Sequence, residues 1–288
     1  MRTFELLAET VDTIDSTNAE ALRRTPLTPA GFDALWLVAR EQTAGRGRRD
    51  RRWVSSTGAS LTASLALEAP LPRQPAALAL VAGATIITTL QAFGADCRVK
   101  WPNDVYRKDP EGGWRKVGGV LCEMRSGAAG ARIVVGVGLN LLPLDIADGR
   151  RDGEAGDAGD AGDAGDVGAA GAAAGPCPVA AGSVFESLSR APGEGVVAQA
   201  LGAALHRATR RFLAEGFSPF VDEWCRHDCL QGLPIVVHGA LGARRIGIAR
   251  GIDPDGALLL GGIDPTGPCE RILSDEVSIR LEGATLAR

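Results

Sequence analysis

The nine residues from Gly45 to Trp53 contain five arginines and two glycines. A buried strand or helix cannot carry five guanidinium groups, because each charge removed from water must be paired or costs a large desolvation free energy. The segment is therefore predicted to be a loop that binds anions. Arginine offers a planar fork of donors that matches carboxylate and phosphate oxygens, and glycine lets the backbone approach a ligand closely. A solvated basic loop that touches nucleic acid loosely is the alternative at this point.

Four further motifs combine turn residues, glycines and polar side chains. Asp-Ser-Thr-Asn at 15–18 precedes a helix-like run, and Lys-Trp-Pro-Asn-Asp-Val occupies 100–105. Lys-Val-Gly-Gly-Val-Leu-Cys-Glu follows at 116–123, and a glycine-rich apolar strand covers 134–141. With the arginine-glycine loop they make five motifs in a fixed order.

In this order the motifs resemble those of the biotin protein ligases, from about Thr13 to Arg280. The arginine-glycine loop and the Lys-Trp-Pro-Asn-Asp run are the most specific, and the glycine-rich strand is weak by itself. The resemblance implies the monofunctional type without the N-terminal DNA-binding domain, because the motifs begin at Thr13. We therefore expect no binding to operator DNA.

Periodicity and turn residues predict the secondary structure. Strands are expected at 11–14, 35–39, 60–67 (half-buried), 97–101, 116–124 and 133–140, and helices at 16–22, 76–93, 184–188, 196–215 and 220–229. Short strands are expected at 235–237, 245–251, 257–260, 271–273 and 277–281. Turn residues between the strands favour hairpins, so the pattern predicts an α+β fold with a mainly antiparallel mixed sheet and helices packed on it.

The resemblance adds detail to this fold. It implies a sheet like that of class II aminoacyl-tRNA synthetases, followed by a small C-terminal SH3-like β-barrel. We expect a catalytic domain that binds biotin and ATP at 1–232 and the barrel domain at 233–288.

A low-complexity segment separates the two halves of the expected catalytic domain. Ala-Gly-Asp occurs four times from Ala155 to Asp166, and Val167 is the one large apolar side chain from Gly149 to Gly175. Such a segment cannot offset its ordering entropy, so a disordered insertion is predicted at about 145–175, where the family would have a short connection. Residues 145–166 contain eight acids and two arginines, a net charge of −6. The whole chain has a net charge of −4, so the remaining residues together carry about +2.

The activity implied by the resemblance is a two-step acyl transfer. Biotin's carboxylate attacks the α-phosphate of ATP to give biotinyl-5'-AMP, and a lysine of a biotin carboxyl carrier domain then takes the biotin. Family positions predicted here to bind biotin are Ser16, Thr17, Gln42, Gly45, Arg46, Arg48, Lys116 and Gly119. Those predicted to bind ATP are Arg51, Trp53, Lys100, Asn103, Asp104, Asn140 and Arg280.

Roles follow from the chemistry of each step. Two anions meet in the first step, so fixed positive charge is needed, and Arg46, Arg48 and Lys116 are the catalytic candidates. Asn103 and Asp104 are candidate ligands for the magnesium ion that accompanies ATP. Gly45 and Gly47 are expected to act as hinges of a loop that shields the intermediate from water.

Several of these residues keep a second interpretation. Ser16 and Thr17 are also suitable helix caps, and Trp53 and Trp101 could be core aromatics, the interpretation favoured for Trp101. Asp50 departs from the family, which more often has glycine there, and it could stiffen the loop or weaken binding.

Composition excludes other classes. The N-terminus has no apolar signal core, so export by that route is not expected. The apolar run at 76–93 contains threonines and a glutamine, which favour a buried helix over a membrane span, and no membrane partner is expected. Six cysteines without a Cys-x-x-Cys pair indicate a reducing cytoplasm, and Cys225, His227 and Cys229 lack a fourth zinc ligand. A lipoate-type protein ligase and a non-catalytic nucleic-acid-binding protein remain alternatives, and a homodimer remains possible.

Overall fold

The computed structural model describes residues 5–48, 51–109, 113–127, 130–143, 182–239, 244–264, 266–273 and the backbone of 278–281. Its first half contains strands β1 (Leu6–Ile14), β2 (Ala34–Gln42), β3 (Ser60–Ala69), β4 (Cys97–Lys100), β5 (Asp104–Lys108), β6 (Trp114–Gly127) and β7 (Gly130–Asn140). Helices are α1 (Thr17–Arg23), α2 (Leu78–Gln91), α3 (Glu194–Glu215) and α4 (Val221–Arg226). Strands β8 (Pro234–His238), β9 (Arg244–Ile252), β10 (Leu258–Gly261), β11 (Cys269–Ile272) and β12 (Ser278–Leu281) complete the described chain.

The large sheet has the order β1-β2-β3-β7-β6-β5-β4. β1 and β2 are parallel, and every other neighbouring pair is antiparallel. Helices cover both faces: Leu35 and Leu37 of β2 pack toward α1, while Trp36 faces the cluster that includes α2 and α3. The predicted mixed, mainly antiparallel sheet is confirmed.

Strand β3 was expected to be half-buried, and this prediction is wrong. Its first eight residues, 60–67, are all buried, because helices lie on both faces of the sheet. The small polar residues that suggested a solvent face have buried partners instead. Thr62 donates its hydroxyl to the Ala39 carbonyl (2.8 Å), Ser60 Oγ accepts the N–H of Ser56 (3.1 Å), and Ser64 belongs to a polar network described below. In this strand the alternation of polar and apolar residues marks buried hydrogen-bonding side chains and does not mark a solvent-exposed face.

Helix α2 occupies the predicted apolar run. Thr85, Thr88 and Thr89 bond their hydroxyls to backbone carbonyls four residues earlier, at 2.7, 3.0 and 2.8 Å, which satisfies the hydroxyl groups of a mostly buried helix. No helix in the described ranges is both long and apolar enough to cross a membrane.

Two helix predictions fail for a common reason. Residues 184–188 form turns, because Val184 and Phe185 donate their N–H groups to the carbonyls of Asn140 (2.8 Å) and Leu141 (3.0 Å). The helix expected at 220–229 ends at Arg226, after which the chain bonds β4 through Val99. In both segments tertiary hydrogen bonds replaced local helical ones.

The second sheet has the order β11-β10-β9-β8-β12, with antiparallel pairs throughout. Its described strands end in two open edges, β11 and β12, so closure into a barrel is not shown. Trp101 is 2% exposed and donates Nε1–H to the carbonyl of Gly256 (3.0 Å), which confirms its interpretation as a core residue. This bond links the large sheet to the small one. The low-complexity insertion lies outside the described residues.

Candidate active site

Helix α1 begins where β1 and β2 end side by side. Ile14 pairs with Gln42 in the parallel ladder, so the chain enters the helix beside the Gln42 amide. Ser16 is the N-cap, and its Oγ accepts the N–H of Ala19 at 3.4 Å. Thr17 donates its backbone N–H (2.7 Å) and its hydroxyl (3.1 Å) to Gln42 Oε1. The structure thus brings three predicted biotin residues together, with Ser16 also acting as the cap.

A buried polar network beneath α1 was missed from the sequence. Ser64 Oγ lies 2.7 Å from Thr17 Oγ1 and 2.6 Å from Asn18 Oδ1. Asn18 Nδ2 donates to the Leu121 carbonyl (3.1 Å) and to Glu123 Oε2 (2.8 Å). Both ends of the Asn18 amide therefore have partners, which fixes its orientation. The signal in the sequence was its place in the Asp-Ser-Thr-Asn motif.

The arginine-glycine loop closes on itself like a narrow hairpin. Trp53 donates its backbone N–H to the Gly45 carbonyl (2.9 Å), and Gly47 donates to the Arg51 carbonyl (2.7 Å). A Cβ on Gly45 would lie 2.6 Å from the Trp53 carbonyl oxygen, so only glycine permits this approach. The loop tip, including Asp50, falls outside the described part of the chain.

Arg48 and Lys116 meet at two neighbouring side chains. Arg48 Nη1 donates to Asn103 Oδ1 at 3.0 Å, and Lys116 Nζ lies 2.8 Å from Asp104 Oδ1. Gly119 lies beside the Lys116–Asp104 pair, because a Cβ added to it would be 3.3 Å from Asp104 Oδ1. Both partners of the Lys116 pair are partly exposed (26% and 20%), so a ligand can reach them. Residues predicted for biotin and for ATP therefore share one location.

Trp53 and Asn140 provide polar atoms that have no partner among the described residues, on the predicted nucleotide side. The Trp53 ring lies against Gly138 of β7, where a Cβ would come within 2.6 Å of ring atom Cε2. Trp53 Nε1 and Asn140 Oδ1 are buried without a hydrogen-bond partner among the described residues. Buried polar atoms of this kind are costly unless water or a ligand satisfies them. One donor and one acceptor suit a nucleobase.

The remaining predicted ATP residues are less clustered. Lys100 ends β4, with its ammonium 3.4 Å from the Tyr106 hydroxyl and 5.2 Å from the centre of that ring. Arg51 lies in the arginine-glycine loop, where its carbonyl accepts the bond from Gly47. Arg280 lies in β12 of the small sheet, and its role stays a prediction.

The cysteine on strand β6 is not an activated nucleophile. Burial, and to a smaller extent the nearby Glu123 carboxylate, together raise the pKa of the Cys122 thiol to about 12. The thiol is therefore protonated at neutral pH and is a poor nucleophile.

Comparison with known proteins places this arrangement in a family. A model of the biotin/lipoate A/B protein ligase family matches residues 12–140. The bifunctional ligase/repressor BirA of Escherichia coli (strain K12) is 34% identical over 274 residues, which cover 93% of this chain and 72% of the relative. The chain belongs to the biotin/lipoate A/B protein ligase family.

Other family members agree in sequence and in fold. The biotin--[acetyl-CoA-carboxylase] ligase of Paracoccus denitrificans is 36% identical over 256 residues, covering 86% of this chain and 91% of the relative. A biotin protein ligase from Aquifex aeolicus, solved in complex with biotin and ATP, superposes with a TM-score of 0.71. The superposition covers 96% of this chain and 99% of the Aquifex aeolicus chain. Because the two sequences are only 22% identical, it shows that the fold is shared.

Proposed function

We propose that the chain is an ATP-dependent biotin protein ligase that modifies a lysine of a biotin carboxyl carrier domain, such as that of acetyl-CoA carboxylase. Among curated relatives, one is named for this reaction and another is a bifunctional ligase. The observation that carries the proposal is the meeting of Arg48 and Lys116 at the adjacent side chains Asn103 and Asp104. It places two cations at consecutive residues of the chain, and the joining of two anions requires such fixed positive charge.

In the first step a biotin carboxylate oxygen attacks the α-phosphorus of ATP, and pyrophosphate leaves with the electrons of the broken P–O bond. Arg46, Arg48 and Lys116 are proposed to stabilise the charge that gathers there. In the second step the neutral ε-amine of the carrier lysine attacks the acyl carbon, AMP leaves, and the new amide nitrogen loses a proton. The loop at 45–53 would exclude water from the mixed anhydride.

The division of ligands follows the two polar regions of the site. Ser16, Thr17 and Gln42 offer hydroxyl and amide groups that suit a ureido ring, which has both donors and acceptors. Trp53 Nε1 and Asn140 Oδ1, which have no partner in the described part of the chain, are the donor and acceptor proposed for the base of ATP.

Magnesium is proposed as a companion of the triphosphate. Within the described ranges no three His, Cys, Asp or Glu side chains are grouped to hold a metal ion, and the Asp104 carboxylate is paired with Lys116. These residues suit an ion held mainly by phosphate oxygens and water, with Asp104 or Asn103 as a protein ligand. Such an ion would neutralise charge on the leaving pyrophosphate.

The wider assignments are also proposals. We propose that the large sheet has a class II synthetase-like arrangement, that the domains divide at 232/233, and that the second sheet closes as an SH3-like barrel. We also propose that the chain acts in the cytoplasm and binds no operator DNA, which a DNA shift assay with family operator sequences would test. Whether it forms a homodimer can be decided by its mass in solution with and without biotin and ATP.

The decisive experiment combines the chain with ATP, magnesium, biotin and a carrier domain, followed by intact mass of the carrier. We expect a mass gain of one biotin that requires ATP and is strongly reduced in Arg48→Ala. Lipoate replaces biotin in a parallel reaction. Modification by lipoate alone would move the chain to the lipoate branch of the family, and no modification by either would overturn the proposal.

A further inference from the structure

Glu123 of β6 joins the arginine-glycine loop to the start of α1. Its two carboxylate oxygens accept hydrogen bonds from one nitrogen of Arg46, Nη2, at 3.0 and 3.1 Å. One of them, Oε2, also accepts from Asn18 Nδ2 at 2.8 Å. A single carboxylate thus connects the arginine-glycine loop to a helix beside the proposed biotin pocket.

The Asn18 end of this connection is held firmly. Asn18 is 4% exposed, and its Oδ1 lies 2.6 Å from the hydroxyl of the fully buried Ser64. Gly136 of β7 makes room for it, because a Cβ there would lie only 2.2 Å from Asn18 Oδ1. The position of Glu123 Oε2 is therefore set by the core of the sheet.

The Arg46 end remains open to a ligand. Its side chain is 39% exposed against 24% for Glu123. Among the described residues, Glu123 is the only hydrogen-bond partner of the guanidinium and engages Nη2 alone. The Nη1 and Nε donors have no partner among the described residues, so either of them can donate a charge-assisted hydrogen bond to a carboxylate oxygen.

We propose that Glu123 is a positioning residue: it holds Arg46 by one nitrogen so that the other donors meet the biotin carboxylate. This inference rests on the proposed function. An exposed ion pair usually gains little, because two flexible side chains must be ordered. Here the Glu123 carboxylate is already held by Asn18, so its bond to Arg46 orders only the arginine side chain. The loop is thereby fixed relative to the sheet.

The test compares Glu123→Gln with the wild-type full chain. The amide keeps the shape but cannot accept from Arg46 and Asn18 through two charged oxygens. The expected result is a fall of about tenfold in kcat/KM for biotin that includes a raised KM, while the thermal midpoint stays near wild type. Glu215→Gln is the matched control, because it breaks a surface pair with Arg211 (2.9 Å) on α3 and should change neither constant.

A double variant separates positioning from a merely structural role. If Glu123 acts through Arg46, then Arg46→Ala with Glu123→Gln should raise KM no more than Arg46→Ala does. Effects that multiply, or an unchanged KM in Glu123→Gln, would overturn the inference. Equilibrium binding of biotin to the same variants is measured without a carrier. This binding measurement decides the role of Glu123 even if no carrier is modified. Failure to modify a carrier would contradict the proposed function but not the role of Glu123 in binding biotin.

Discussion

Gly138 leaves room for the Trp53 indole: a Cβ at this position would come within 2.6 Å of ring atom Cε2. The strand and the loop therefore fit together only when residue 138 has no side chain. This contact links the glycine-rich strand, the weakest of the five sequence motifs, to the arginine-glycine loop, one of the two most specific.

Gly138→Ala should displace the Trp53 ring and weaken nucleotide binding. Overpacking of this kind costs about 1–3 kcal/mol, so KM for ATP should rise about tenfold. Gly195→Ala is the control, because its added methyl group meets no atom within 4 Å on helix α3. That variant should be unchanged in KM, and equal effects of the two alanines would contradict a specific fit at Gly138.

Lys116→Met should slow the adenylation step. Loss of one preorganised charge at a reacting centre typically lowers kcat about 10²–10³-fold. Pyrophosphate release in the absence of carrier reports this step directly. Lys108→Met, on the exposed end of β5, should retain wild-type rates. A Lys116 variant that released pyrophosphate normally would remove this residue from the catalytic set.

Trp101→Phe should lower stability without altering ligand binding. The substitution removes the Nε1–H bond to the Gly256 carbonyl (3.0 Å), a loss of about 1–2 kcal/mol in the free energy of unfolding. Urea denaturation measures this change, and Trp114→Phe on β6 serves as the control for a partly exposed indole. A raised KM for ATP in Trp101→Phe would reverse its interpretation as a core residue.

Asp228 should make the protein less stable as pH rises. Burial raises the pKa of this carboxyl from 3.8 to about 7, and its Oδ2 has no partner among the described residues. Between these values the folded state keeps a proton that the unfolded state has lost, so raising the pH destabilises the fold. The full effect, about 2–4 kcal/mol, is reached above pH about 7.

Urea denaturation at pH 5 and pH 8 tests this dependence. Asp228→Asn should remove most of the loss seen in the wild type, whereas Asp222→Asn, on the exposed side of α4, should leave it intact. An identical pH profile for wild type and Asp228→Asn would show that other groups are responsible.

Replacing residues 149–175 with a short linker should leave folding and activity near normal. The chain on either side is already anchored, because Val184 donates to the Asn140 carbonyl (2.8 Å) and Gly182 donates to the Lys116 carbonyl (3.0 Å). The measurements are the thermal midpoint and the initial rate of carrier biotinylation. A large loss of activity with an intact midpoint would instead assign a function to the segment.

Much of the fold could be predicted from local patterns. Most strands and the long helix α3 follow apolar runs and repeats, which depend on neighbours along the chain. Strand β5 was missed, because the turn residues before it suggested only a hairpin. Residues 184–188 and the end of α4 were also wrong, since their backbone groups bond to Asn140 and Val99, far away in sequence.

The sequence by itself determined the family resemblance, the order of the motifs and the residue types that bind anions. It did so because arginine, lysine and glycine at these spacings have few structural uses. The tertiary structure decided which of them meet: Arg48 with Asn103, Lys116 with Asp104, and Arg46 with Glu123. These pairs lie 55, 12 and 77 positions apart, so only the packing of the sheet and its loop brings their atoms within hydrogen-bonding distance.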